Sequence, residues 1–130
     1  MGLQAYEEST PVWNYEEIVT ADGLNYVDLI ASQRGIWRID SIRVSSNDTI
    51  DHEVQFCLND GANKAPVGCV TVPAGAGWSA AVPCVDIVDE LAHPTIAGFI
   101  VGPYLQVTAR VQVAMSADKT LQFTIQGGTV

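Results

Sequence analysis

The chain has 130 residues, one domain's worth of polypeptide. Its residues are 48% hydrophobic and only 16% charged, which excludes intrinsic disorder; no apolar run approaches the roughly 18 residues of a transmembrane helix. Six basic against fifteen acidic residues give a net charge of −9, so a nucleic-acid backbone and an anionic membrane surface are both excluded as partners.

The acidity is uneven. Residues 1–53 hold ten acids and three Arg, and residues 54–130 hold five acids and three bases. The first half is therefore expected to face solvent or a basic partner. Residues 1–14 show no period and carry Pro11 and Trp13; they read as an extended N-terminal arm ahead of a domain at 15–130. The opening MGLQAYEEST is acidic, so no secretory signal is expected. Tyr15–Thr20 and Asn25–Ile30 are weak strand candidates. Ile36–Ser45 is a stronger one with a change of parity: Trp37 and Ile39 share one face, Ile42 and Val44 the other. A bulge near Asp40-Ser41 reconciles them.

Val54, Phe56 and Leu58 alternate with polar positions until Asn59-Asp60-Gly61 supplies turn chemistry. Val67–Val72 is the next strand, ended by Pro73. Val85–Leu91, stopped before Pro94, is the one short helix predicted. Leu105–Met115 alternates throughout, and after Ser116–Lys119 so does Leu121–Ile125. The two are predicted to form an antiparallel hairpin ended by Gly127-Gly128. About seven or eight short strands with one wet face predict an all-β fold, an antiparallel β-sandwich of jelly-roll type.

Four constellations could carry chemistry. Asn47–Glu53 places Asp48, Asp51, His52 and Glu53 together, a possible oxygen-ligand cation loop; without the spacing and central Gly of a calcium loop it reads better as a solvated strand connection. Asp86 and Glu90 would share a helical face near His93, but the same residues make the polar side of a short amphipathic helix. Cys57, Cys69 and Cys84 are odd in number and lack metal spacing. They read as thiols kept reduced, with Cys57 the most exposed. No catalytic residue, metal or cofactor is predicted. Gly75-Ala76-Gly77 resembles a phosphate loop but lacks a following helix and a Lys, so a flexible strand connection is expected.

The aromatics are more informative. Trp37 is expected to plug one end of the core. Trp13 in an irregular acidic segment needs something to bury it, and Trp78 sits in the Gly-rich connection. Trp and Tyr are common interface anchors, so Tyr6, Val12, Trp13 and Trp78 are the predicted partner-binding residues.

Three stretches of the chain resemble small β-structured virion proteins of tailed bacteriophages. They are Ile42–Thr49 with Val54–Leu58; Val70–Gly77 followed by Val85-Asp86; and the long alternating strand, Asp118-Lys119-Thr120 and Gln126-Gly127-Gly128. The resemblance covers about residues 36–130. It implies a capsid decoration (cement) or head accessory protein: non-enzymatic, made in the bacterial host cytoplasm, and placed on the outer capsid surface of the virion. It further implies a homotrimer that clamps the major capsid protein lattice. Where such proteins read Pro-Ala-Gly-Ala before the long strand, this chain has Ile100–Tyr104. A carbohydrate-binding or host-adhesion module, or a neck, tail or spike component of the same virion, is the alternative expectation.

Overall fold

A computed structural model of the chain describes residues 10–31, 34–88 and 99–129, with the side chains of residues 99 and 100 left aside. Among the described residues nine strands form in chain order: β1 (Pro11–Val19), β2 (Val27–Ile30), β3 (Trp37–Ser46), β4 (His52–Asn59), β5 (Lys64–Val72), β6 (Val85–Asp86), β7 (Phe99–Val101), β8 (Gln106–Val111) and β9 (Thr120–Thr129). One sheet runs β1-β9-β3, and the far side of β3 is paired at its start by β7 and near its end by β6. The other runs β2-β8-β4-β5. Every named pairing is antiparallel. The fold is an all-β sandwich, as the alternation predicts.

The apolar faces meet between the sheets. Ile18, Ile39, Ile42, Val44, Leu121, Phe123 and Ile125 come from one, and Leu29, Val54, Phe56, Val72, Val107 and Val111 from the other. Phe56 and Phe123 join the layers edge to face, with ring centroids 6.3 Å apart and planes at 80°, the geometry that the ring quadrupoles favour. Burying each such side chain contributes about 1.5–3 kcal/mol. Trp37 is half-buried and packs against this core.

The predicted bulge is present: the β3–β9 register shifts between Ile39 and Ser41, which turns Ile42 and Val44 back toward the core. Beside it, a Cβ on Gly127 would collide with the Arg38 carbonyl. Gly127 and Gly128 therefore sit inside β9, which continues to Thr129 instead of ending before them.

Three other expectations are corrected. Leu105–Met115 and Leu121–Ile125 do not pair. β8 belongs to one sheet and β9 to the other, and residues 112–119 carry the chain across the sandwich. Both strands face the same core, so each alternates without being the other's neighbour. Among the described residues the hairpin is instead β4–β5, closed by Asn59–Asn63: Asn59 Oδ1 accepts from the Gly61 N–H at 2.9 Å, and Asp60 Oδ1 from the N–H groups of Ala62 and Asn63 at 2.9 and 2.6 Å.

The second correction concerns where the helix starts: Ile87 and Val88 are helical, as predicted, but Val85 and Asp86 are not. Val85 and Asp86 pair with β3, so Asp86 lies on a strand, and its Oδ1 accepts from the N–H groups of Ile42 (3.3 Å) and Val88 (3.1 Å). Glu90 and His93 lie outside the described residues. Third, the strand at the N-terminal side begins at Pro11, so Pro11–Asn14 pair with Ile125–Gly128 on β9. Residues 1–9, the rest of the expected arm, lie outside the described residues.

Candidate binding surface

Four strand connections meet at one end of the sandwich, and Asp48 ties them. Its Oδ1 accepts from the Thr49 N–H at 2.6 Å, and its Oδ2 from the Ser116 N–H at 3.0 Å and from His52 Nε2 at 2.8 Å. Its carbonyl accepts from the Gly75 N–H at 3.2 Å. Thr20 Oγ1 adds the β1–β2 connection by donating to the Ser116 carbonyl at 2.6 Å. Burial alone would raise the Asp48 carboxyl, but the Ser116 N–H, His52 Nε2 and the Thr49 N–H outweigh it and hold it well below the usual carboxylate range. The carboxylate accepts, so the imidazole proton sits on Nε2; Nδ1 is buried with no partner among the described residues.

Both side chains of this pair are sealed from solvent, and no hydroxyl or thiol bonds to the free ring nitrogen among the described residues. The pair fixes loops. The neighbouring acids serve similar ends: Asp51 Oδ1 accepts from the Ala74 N–H at 2.8 Å. Among the described residues no group of three or more His, Cys, Asp or Glu is placed to hold a metal ion.

The Gly-rich connection is not the flexible loop expected from its composition. Ala76 is buried in the core and its carbonyl accepts from the Ser46 N–H at 3.0 Å. Gly77 N–H donates to the Val82 carbonyl at 2.8 Å, and Trp78 N–H to the Gly75 carbonyl at 3.1 Å. Gly75 and Gly77 hold φ of +73° and +84°, the left-handed region that glycine enters without strain. These bonds present Trp78, 61% exposed, on an ordered backbone. A shallow open depression lined by Pro73, Ala81, Val82, Pro83 and Cys84 lies in the same segment.

Trp13 is at the other end of the molecule, at the start of β1, and 64% exposed. Its face of the sheet also carries Tyr15 and Glu17 on β1, and the paired Gln126, Thr124 and Gln122 on β9. Tyr15 Oη donates to Glu17 Oε1 at 2.6 Å, and this bond, with smaller help from burial, raises the phenol above its ordinary value. Val12 faces the opposite way and is half-buried. Tyr6 lies outside the described residues. Trp13 and Trp78 are thus two separate exposed rings; the fold does not bring them together. Tyr15, next to Trp13 on the same face, is an exposed ring that sequence reading did not single out; the period-two spacing of Trp13, Tyr15 and Glu17 was the available signal.

Cys57 was expected to be the most exposed thiol. It does point away from the core, yet it is buried. Tyr26 lies over it: Cys57 Sγ–H donates to Tyr26 Oη at 3.6 Å, and Tyr26 Oη–H to Gln55 Oε1 at 3.0 Å. Lys64 Nζ sits 3.8 Å from the centre of the Tyr26 ring. Cys69 and Cys84 are the exposed thiols. No known protein family matches the chain, and no curated protein is significantly similar to it.

Proposed function

We propose that this chain is a non-enzymatic structural protein of a phage virion, which binds the outside of the capsid and stabilises the lattice of the major capsid protein. The observation that carries the reading is Trp78, a large apolar ring held 61% exposed on a backbone fixed by hydrogen bonds to Val82 and Gly75. An anchor ordered beforehand loses little freedom when it docks, so its burial is available as binding free energy. Trp13 supplies a second anchor on β1. Repetition over a lattice turns such modest contacts into firm attachment.

The strand order supports a jelly roll as the finer fold. With β6 and β7 taken as one interrupted strand, the sheets read β1-β9-β3-β6/7 and β2-β8-β4-β5, the order of an eight-stranded double Greek key. That architecture is common among capsid proteins but does not itself assign a function. The sequence resemblance to phage decoration proteins supplies the partner.

The test is co-sedimentation with phage heads stripped of accessory proteins. The wild-type chain is expected to pellet with the heads, and the Trp13→Ala, Trp78→Ala double variant to stay in solution while keeping its melting temperature. Undiminished pelleting of the folded double variant overturns the reading. A carbohydrate-binding reading is favoured by the Trp13 and Tyr15 rings beside the Gln126, Thr124 and Gln122 row, since sugars take ring faces and amide or hydroxyl partners together. A shift in Trp fluorescence on titrating host-surface polysaccharide, absent in Trp13→Ala, would select it.

A further inference from the structure

β1 is a sheet edge with a proline only at its first residue, Pro11. It is nine residues long and its register with β9 runs unbroken from Pro11↔Gly128 to Val19↔Thr120. The other outer strands are blunted. β5 carries Lys64, Pro66 and a register shift opposite Phe56 and Cys57. β2 has four residues and a shift, β6 has two residues and β7 three. A long, regular edge with open backbone groups is a template for another strand.

The hydrogen-bond phase of β1 defines what fits. Thr129 N–H donates to the Thr10 carbonyl at 2.8 Å. Antiparallel bonding alternates, so Thr10, Val12, Asn14, Glu16 and Ile18 bond inward to β9, and the odd-numbered residues turn their backbone groups outward. The outward run is closed at both ends: Pro11 has no N–H, and the Val19 N–H is taken by Asp22 Oδ2 at 2.8 Å. The open donors and acceptors are those of Trp13, Tyr15 and Glu17, which no described residue bonds.

We propose that the occupant of this edge is β1 of a second copy of the chain, antiparallel and centred on Tyr15, so that one sheet runs continuously through a two-fold dimer. In this register Trp13 faces Glu17 of the second copy, Tyr15 faces Tyr15, and Glu17 faces Trp13. Every open N–H and carbonyl finds a partner, and the closed ends fall outside the paired stretch. Asn14 lies opposite Glu16, so no two carboxylates oppose each other, the arrangement cross-strand pairing demands. Such an interface is isologous, and closes without leaving a β1 edge free. The Trp13 and Tyr15 rings of both copies then share one outer face. The inference stands apart from the capsid reading, because it rests on β1 alone.

The experiment is light scattering after size exclusion of the full chain, from micromolar to millimolar concentration. The wild type is expected to reach twice 13.9 kDa, with the dimer fraction rising with salt as the repulsion between two chains of net charge −9 is screened. Tyr15→Pro removes an outward N–H and leaves the β9 ladder intact; Tyr15→Lys sets two ammonium groups face to face. Both are expected to run at half the wild-type mass with unchanged circular dichroism. Trp13→Lys meets Glu17 of the second copy and is expected to remain dimeric, whereas a merely apolar contact would be lost in it. A wild type that stays monomeric throughout overturns the proposal. So does a trimer, or any assembly that survives both Tyr15 substitutions.

Discussion

Asp48 Oδ2 and His52 Nε2 lie 2.8 Å apart with neither side chain exposed, and around this one contact the connections β1–β2, β3–β4, β5–β6 and β8–β9 are gathered. The carboxylate is held below its ordinary value by the groups that donate to it. A depressed carboxyl contributes stability above its unfolded-state value, and that contribution is lost as the pH falls toward the folded-state value. Wild-type stability is therefore expected to decline below about pH 4, the ordinary Asp value, and Asp48→Asn to show a flatter acid limb. Asp48→Ala strands a buried ring nitrogen and two N–H groups, and is expected to cost about 3 kcal/mol. Urea unfolding from pH 2 to pH 7 checks both, and amide exchange at Ser116 and Thr49 is expected to quicken in the variant.

Gly127 is required by the bulge opposite it. The register shift between Ile39 and Ser41 brings the Arg38 carbonyl against the position where a Cβ would stand. Gly127→Ala is expected to destabilise by about 2 kcal/mol or more, as overpacking against a backbone that cannot yield. Gly102→Ala is the control. Its Cβ would meet only Leu105 Cδ1, at 3.6 Å, and a change within about 0.5 kcal/mol is expected. Thermal melts of the two variants decide the matter; equal effects would refute the steric account.

That bulge was legible because parity is a local property: Trp37, Ile39, Ile42 and Val44 report the slip within a few residues. The β8–β9 relationship was not. Alternation states which face of a strand is apolar, and Val107 to Val111 and Leu121 to Ile125 would look the same as neighbours in one sheet or as opposing strands across the core. The alternation even continues through Val113, which is 60% exposed, to Met115, which is buried again after the chain has left the sheet. The Gly-rich connection misled for a related reason. Composition shows that Gly75 and Gly77 permit unusual backbone angles, while only the fold shows that hydrogen bonds fix them. Trp13 and Trp78 were legible as candidate anchors by residue type. That β1 is an edge depends on strand order, which no local pattern contains.

Trp78 offers a direct check on the ordered connection. An exposed ring contributes little to folding, so Trp78→Phe is expected to leave stability within about 0.5 kcal/mol of wild type. It is also expected to remove part of the fluorescence that acrylamide quenches in the native state, the rest coming from exposed Trp13, since Trp37 is half-buried. Gly77→Ala is expected to behave in the opposite way. Its φ of +84° and the 2.8 Å approach of its Cβ to Ser45 Cβ impose strain, costing about 1–3 kcal/mol. A Gly77→Ala chain as stable as wild type would mean that the connection gives way freely, and the ordered-anchor reasoning for Trp78 would go with it.

The thiols separate by the same logic. Cys69 and Cys84 are exposed and Cys57 is covered by Tyr26. Native protein treated with a chromogenic disulfide reagent is expected to release two equivalents at once, and the Cys57 equivalent only on unfolding, since thiol reactivity needs access as well as thiolate. The interaction with Cys57, with burial adding to it, raises the Tyr26 phenol above its ordinary value. Alkaline difference spectra are therefore expected to show Tyr26 ionising late, and Cys57→Ala to bring it earlier. Tyr26→Ala uncovers the thiol and should move Cys57 into the fast class in otherwise folded protein. Were Cys57 to react at the native rate of Cys69 in the wild type, Tyr26 could not be lying over it.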